Sequence, residues 1–293
     1  MRAAFLAAAC AGPRAGRLPF TWGKKVATSQ SSYVFADTGA RSELERLETL
    51  ESVFDPDSRR LLGSTGLGPG WRCLEVGAGA GSIATWLAGE VGPSGEVVAV
   101  DTNSRFLRDK VRPGLRVLEG DIRTVSLEPG TFDLVHARFL LIHVAQWQAA
   151  LQAMLRAVGP GGFLVLEEPD FSASRATAGR DELRVAFERV HRAIESMFRR
   201  RGLDFAFGQR IPGLLAEGGL AAVRVENAAP VCQGGSPMAR MMGLSTRQLR
   251  DKYLATGQAQ ERDLELYDAF TLDPGAWGVF HGTIRGVGQK PVP

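Results

Sequence analysis

Between Trp71 and Glu167 the chain repeats one unit: a short apolar run, a turn, then a longer amphipathic stretch. Residues 72–76, 96–100, 115–118, 132–137 and 163–167 read as five short buried strands, with helices expected over 82–91 and 145–158. Strands that alternate with helices imply a parallel sheet covered on both faces and joined by right-handed crossovers. Upstream, Leu44, Leu47, Leu50 and Val53 recur every third residue and predict a helix over 41–54. Asp55 and Pro56 then predict a restart, Asp55 as N-cap and Pro56 in the first turn of a second helix reaching Gly63. After Glu168 the rhythm changes. A long helix is expected over 180–201, a short one over 211–218, a sixth strand over 222–227 and a seventh over 278–285, with 236–270 helical.

Ligands of parallel α/β sheets bind beyond the carboxyl ends of the strands. The residues expected there are Glu75 to Gly81, Asp101, Asp121, and Ala137 with Arg138. A glycine-rich turn alone is compatible with a strand-to-helix connection that binds nothing. The glycines here recur as G-x-G-x-G, however, and not as the G-x-G-x-x-G of dinucleotide sites. Glu75 would repel a pyrophosphate seated on the helix N-terminus, whereas a ligand carrying an ammonium and a sulfonium suits it. Asp101, 20 residues after Gly81, can accept hydrogen bonds from two ribose hydroxyls; its alternative is a helix N-cap. Asp121 can accept from an adenine amino group while Ile122 packs on the ring, or it can be a solvent-facing loop acid.

In order along the chain stand Cys73-Leu74-Glu75-Val76-Gly77-Ala78-Gly79-Ala80-Gly81, Val98-Ala99-Val100-Asp101, Glu119-Gly120-Asp121-Ile122, Phe132-Asp133-Leu134-Val135-His136-Ala137-Arg138 and Val158-Gly159-Pro160-Gly161-Gly162. Over residues 65–170 this series resembles class I S-adenosylmethionine (SAM) dependent methyltransferases, in their small-molecule branch. The resemblance implies a Rossmann-like, mostly parallel seven-stranded sheet with the last strand antiparallel, plus helical cap and lid elements. It implies SAM as cofactor: Glu75, Gly77, Ala78, Gly79 and Gly81 near the methionine moiety, Asp101 with Thr102 at the ribose, Asp121 and Ile122 at the adenine. Ala137 and Arg138 would line the methionine end. The implied organisation is a helical cap over 31–66 and a methyltransferase domain over 67–293, with lid insertions at 171–210 and 236–270.

Composition narrows the partners. Residues 1–36 hold Arg2, Arg14, Arg17, Lys24, Lys25 and no acid, and the rest of the chain balances 30 basic against 32 acidic residues. A near-neutral body is a poor footprint for nucleic acid. The D/N-P-P-Y/F motif of enzymes that methylate nucleobase amines is missing; His-Ala-Arg-Phe occupies 136–139. No apolar run approaches the roughly 20 residues of a membrane span. Cys10, Cys73 and Cys232 form no Cys-x-x-Cys pair, so a reducing cytosol is the expected location and no metal is expected. The apolar run 3–11 has the shape of a minimal signal or transit peptide, yet reads more simply as a tail; 1–30 is set outside the fold. The expected partners are a small-molecule substrate and, as an assembly option, a second copy of the chain.

Transfer from a sulfonium is an in-line displacement in which the protein aligns the nucleophile and excludes water. Many acceptors also need a base. His143, Glu168 and Asp170 are the candidates, His143 being the catalytic choice with helix capping as its alternative. His136, His191 and His281 read as structural. Arg138 holds either the SAM carboxylate or an acidic substrate, or pairs with a helix carboxylate. Phe171, Phe205, Phe207, Met238, Met241, Met242 and Tyr253 offer an apolar wall or, each by itself, core packing. Two other readings compete: a nicotinamide-dependent oxidoreductase, against which the glycine spacing and the lack of a Tyr-x-x-x-Lys pair speak, and a SAM-fold protein that binds without transferring.

Overall fold

The computed structural model describes residues 33–35 and 39–293; the tail expected over 1–30 lies outside the described residues. The first helix is α1 (Ala40–Gly63), followed by the alternating series β1 (Arg72–Val76), α2 (Ser82–Val91), β2 (Glu96–Asp101), β3 (Leu115–Glu119), β4 (Phe132–Arg138), α3 (Trp147–Ala157) and β5 (Val158–Asp170). Then come β6 (Arg175–Ala178), α4 (Asp181–Arg200), α5 (Ile211–Glu217), β7 (Ala221–Ala228) and β8 (Cys232–Gln233). The chain closes with α6 (Pro237–Gln248), α7 (Arg250–Leu254), α8 (Glu261–Leu272), β9 (Trp277–Val279) and β10 (Gly282–Gln289). The main sheet has seven strands in the order β3-β2-β1-β4-β5-β10-β7, and β6, β9 and β8 form a small second sheet. β1 to β5 are mutually parallel, while β10 runs antiparallel to both β5 and β7. The expected seven-stranded, mostly parallel, Rossmann-like sheet is present.

Strand alternation sorts the core into two layers. Cys73, Val97, Ala99, Leu134 and Val165 face Ile83, Ala84 and Leu87 of α2 and Leu61 and Leu62 of α1. Leu74, Val98, Val135, Leu164 and Leu166 face the opposite layer, with Met154 of α3, Phe187 and Val190 of α4, and Leu215 of α5. α6 packs on both α1 and α8, and α8 on α4, so these three form one group reaching α1, while α5 packs on β7 and β10. Among the described residues, no helix is long and apolar enough to cross a membrane.

Two boundaries differ from expectation. Asp55 and Pro56 do not restart a helix, because α1 runs unbroken through Pro56. Tertiary bonds override the local signal: the Asp55 carboxylate is taken by Ser82, Arg59 and Arg138, so it is not available to cap its own backbone. The expected seventh strand over 278–285 is two strands in different sheets, since the chain leaves the small sheet at Val279 and enters the main one at Gly282. The break falls at Phe280 and His281, which carry no Pro-Gly or Asn-Gly turn signal, so the sequence hides it.

Gly286 of β10 lies tight against α5: a Cβ there would stand 2.4 Å from Ile211 Cγ2 and 2.6 Å from Leu215 Cδ1. Gly286→Val is expected to lower stability by about 1–3 kcal/mol through overpacking. A urea midpoint that does not fall would contradict this packing.

Candidate active site

The strand order reverses between β1 and β4, the switch point at which an open α/β sheet opens a crevice. Register puts Val76, Val100, Leu118 and Ala137 in one row, so the segments that follow them leave the sheet at one edge. After β1, Gly77, Gly79 and Gly81 take φ values of +75°, +58° and +92°. That left-handed backbone is accessible to glycine and strained for other residues. Gly77 N donates to Val100 O at 2.8 Å, tying the loop to β2. Gly79 N donates to Asp101 Oδ2 at 3.0 Å, and Asn103 N to Asp101 Oδ1 at 2.9 Å. Burial raises the Asp101 pKa against the lowering effect of those two N–H groups. Thr102 beside it is exposed.

The other expected residues divide. Ala78, Ile122 and Ala137 are buried. Asp121 is turned to Arg123, whose Nε lies 2.9 Å from Oδ1, and these hydrogen bonds hold its carboxyl below the usual range. Arg138 donates to Ser58 Oγ at 2.8 Å and Asp55 Oδ1 at 3.0 Å, the helix-carboxylate alternative. His143 lies among aromatic rings, 5.2 Å from Tyr33 and 6.2 Å from Phe198 by centroids, and burial pushes its pKa down to about 3. Glu168 accepts from the backbone N–H groups of Leu140, Leu141 and Ile142, which anchors the turn after β4; burial raises its pKa to about 8 despite them. Asp170 accepts from Ser172 and Gln209. Glu75 is buried and bound at 2.6 Å to Nδ1 of His136.

His136 is where the sequence reading fell short. It is fully buried, as a core residue would be, but its Nε2 also meets Glu167 Oε1 at 3.0 Å. Glu167 Oε2 accepts from Arg285 Nε at 2.9 Å, and Arg285 reaches Asp57 Oδ2 of α1 at 3.0 Å. A line of charge thus crosses β1, β4, β5 and β10 and ends on α1. Burial alone would lower the His136 pKa; Glu75 and Glu167 outweigh it and hold it at about 9. Burial would raise Glu167, yet His136, then Arg138 and Ser58, bring it down to about 2. In sequence these residues are separated by up to 228 positions, and no local pattern links them.

α1 lies over the glycine loop. Leu47 Cδ2 would be 3.5 Å from a Cβ on Gly79, and Leu140 Cδ1 3.1 Å from one on Gly77. Glu51 accepts from Ser82 N at 3.1 Å, capping α2 from outside it. Nearer the start of α1, Arg46 bonds Glu43 and the Tyr33 hydroxyl and stacks 3.9 Å over the Phe35 ring. At the end of β4, Phe139 has φ +52°, strained for a non-glycine residue.

A cavity of about 460 Å³ opens between α1, the chain around β8, the start of α6 and the start of β10; Phe54, Asp57, Cys232, Met238, His281 and Arg285 are among its walls. His281 was read from sequence as structural, and nothing local distinguishes it. Of the residues read as apolar wall or core packing, Met241, Met242, Phe207 and Tyr253 are core, and Met238 is both core and cavity wall.

A model of the methyltransferase domain matches residues 74–166. Methyltransferase str3 of Strobilurus tenacellus is 30% identical over 228 residues, 73% of this chain and 78% of the relative. A ubiquinone/menaquinone biosynthesis C-methyltransferase, UbiE of Idiomarina loihiensis, is 28% identical over 50% of this chain and 62% of its own. Among solved structures, phosphoethanolamine N-methyltransferase 2 of Haemonchus contortus in complex with SAM superposes with a TM-score of 0.56 at 17% identity, covering 90% of this chain and 60% of that one. The [4+2]-cyclase SpnF shares the fold at a TM-score of 0.50 and 16% identity, over 80% and 81% of the two chains.

The raised pKa of His136 sets a pH dependence. Its contribution to stability is full below its unfolded value of about 6.5 and is lost as pH rises through about 9. Over that range the wild-type chain is expected to lose more stability than His136→Gln, by a few kcal/mol. Parallel denaturation curves for the two proteins from pH 6 to about pH 9.5 would refute the charged imidazole.

Proposed function

The chain belongs to the class I SAM-dependent methyltransferases, and on that footing we propose that it methylates a small-molecule acceptor, with the loop after β1 and Asp101 as the donor-binding centre. The single observation that carries the residue assignment is the pairing of Asp101 with the amide of Gly79. It sets a carboxylate beside a loop whose three glycines take left-handed backbone. The chemistry of these groups fits SAM. A Cβ at Gly77 or Gly79 would fill the cradle, and Asp101 retains acceptor capacity for ribose hydroxyls; among the described residues, no Lys or Arg hydrogen-bonds the loop. When bound there, SAM supplies an electrophilic methyl group on a sulfonium.

The protein's own part is positioning. Leu47 lies against Gly79 and Leu140 against Gly77, leaving both glycines only partly exposed. Asp101, held by two backbone amides, fixes the ribose and with it the direction of the reacting bond. Asp121 and Ile122 are the adenine-side residues, Asp121 exchanging part of its pairing with Arg123 for the amino group. Glu75 and Arg138 act from beneath: both are spent on His136 and on α1, so they support the loop and the lid more than they touch a ligand. The near-neutral surface and the relatives' names support a small molecule as acceptor.

Asp101→Ala removes charge-assisted hydrogen bonds worth about 1.5–3 kcal/mol, so SAM affinity is expected to fall roughly 10- to 150-fold. Gly79→Val forces a β-branched residue into φ +58° and is expected to abolish binding while the fold persists. Calorimetry showing undiminished affinity in both variants would sink the donor-site assignment.

A further inference from the structure

We propose that the 460 Å³ cavity behind α1 is a second ligand site, apart from the reaction centre, that it takes a small, neutral, largely apolar molecule carrying one hydroxyl, and that its occupant steadies α1 over the glycine loop and so tightens SAM binding. The effect on SAM rests on the donor-site reading above; the ligand site itself does not.

α1 has a different neighbour on each side. Leu47, Glu51 and Asp55, each four residues from the next, form one stripe that meets the loop and the start of α2. Leu47 lies against Gly79, Glu51 accepts from Ser82 N, and Asp55 accepts from Ser82 Oγ. Val53 stands two residues on from Glu51, which is the far side of a helix with 3.6 residues per turn, and with Ser52, Phe54 and Asp57 it walls the cavity. Among the described residues, none of the glycine loop lines that cavity. A molecule held there is out of reach of a methyl group on the loop, yet it packs against the helix that covers the loop. Because α1 supplies part of the wall, the ligand binds best while α1 is seated, and it favours the seated helix by that difference.

The polar groups of the wall are mostly spent. Arg285 gives its guanidinium to Glu167 at 2.9 Å and to Asp57 at 3.0 Å. Ser52 Oγ donates to Thr49 O, and Gln233 Nε2 to Pro274 O. His281 is the exception. Its Nδ1 lies 2.8 Å from the carbonyl oxygen of Gly282, which can only accept, so Nδ1 carries the proton and donates. Nε2 is then a lone pair with no partner among the described residues, although the residue is only 3% exposed and lines the cavity. Burial holds its pKa at about 4, so the lone pair persists at neutral pH. Thr283, two residues on, is as deeply buried, lines the same cavity and makes no side-chain hydrogen bond among the described residues.

A buried acceptor without a partner asks for a donor on the ligand. A hydroxyl donates to Nε2 and keeps lone pairs that can accept from Thr283 Oγ1. An ammonium also donates, but it brings a charge that the wall has no free carboxylate to meet, since Asp57 is held by Arg285. A ketone has nothing to give to Nε2. Val53, Phe54, Cys232 and Met238 supply apolar surface for the rest of the molecule.

The test uses the full chain and four molecules on one bicyclic frame: 1-indanol, indane, 1-indanone and 1-aminoindane, which is charged at neutral pH. Binding without SAM is read by ligand-observed NMR titration. 1-Indanol is expected to bind at least about 10-fold tighter than each of the others. Indane bound as tightly as 1-indanol overturns the part given to Nε2, and 1-aminoindane bound more tightly overturns the neutral class. No saturable binding of any of the four overturns the site.

His281→Phe keeps an aromatic ring stacked on Phe54 and lacks the acceptor, so it should bind 1-indanol and indane alike; a preserved preference for the alcohol overturns the assignment. Should that variant not fold, Cys232→Trp fills the cavity from a half-buried position, and 1-indanol binding is expected to fall at least about 10-fold. Undiminished binding to Cys232→Trp places the ligand elsewhere. With 1-indanol saturating, calorimetry is expected to show SAM bound about 3- to 10-fold tighter, and by linkage SAM tightens 1-indanol by the same factor. Unchanged or weaker SAM affinity overturns the steadying of α1. A methylated 1-indanol overturns the separation of the cavity from the reaction centre. SAM that binds neither with 1-indanol nor without it overturns the donor-site reading instead.

Discussion

Glu75, His136, Glu167 and Arg285 lie side by side across the middle four strands, each in contact with the next and each withdrawn from solvent. Burying any one of them without its neighbours is costly: breaking a buried pair by removing one partner costs about 3–5 kcal/mol. The order of strands is what makes the series possible, because β1, β4, β5 and β10 are consecutive in the sheet although not in the chain. Its outer end, Asp57, belongs to α1, and Arg138 adds a second tie to Asp55 and Ser58. The charged line therefore specifies where α1 sits, and α1 in turn covers the glycine loop and walls the cavity.

This arrangement accounts for which parts were legible in sequence. The strands from β1 to β5 and the helices α2 to α5 follow from periodicity and from glycines at strand ends, which are local signals. The residues proposed for the donor site were picked out for the same reason: Gly77, Gly79, Gly81, Asp101 and Asp121 each stand at or just after a strand's carboxyl end. Asp55 misled, since a carboxylate before a proline looks like a cap until its partners Ser82 and Arg138, 27 and 83 residues away, are seen. His136 and His281 were not separable by sequence. Both sit among apolar residues near or in strands, and only the register shows one pinned between two carboxylates and the other with a nitrogen left open.

Two buried imidazoles face opposite fates for a simple reason. His136 has an anion on each side, so its charged form outweighs the cost of burial. His281 has a carbonyl on one nitrogen and aromatic rings around it, with Arg285 close by, so its neutral form prevails. The first carries its charge at neutral pH and ties strands together. The second stays neutral.

The stretch that carries the donor loop, residues 74–166, contributes none of the side chains that line the cavity; those come from α1, the chain around β8 and α6, and the start of β10. The cavity and the glycine loop are thus built on separate lengths of chain. Replacing Val53, Met238 or Cys232 reshapes the cavity and leaves the loop untouched. Arg285 marks the boundary of that freedom, because the same guanidinium that borders the cavity also closes the charged line under the sheet. The walls of this cavity are free to change, and its floor is common property with the sheet.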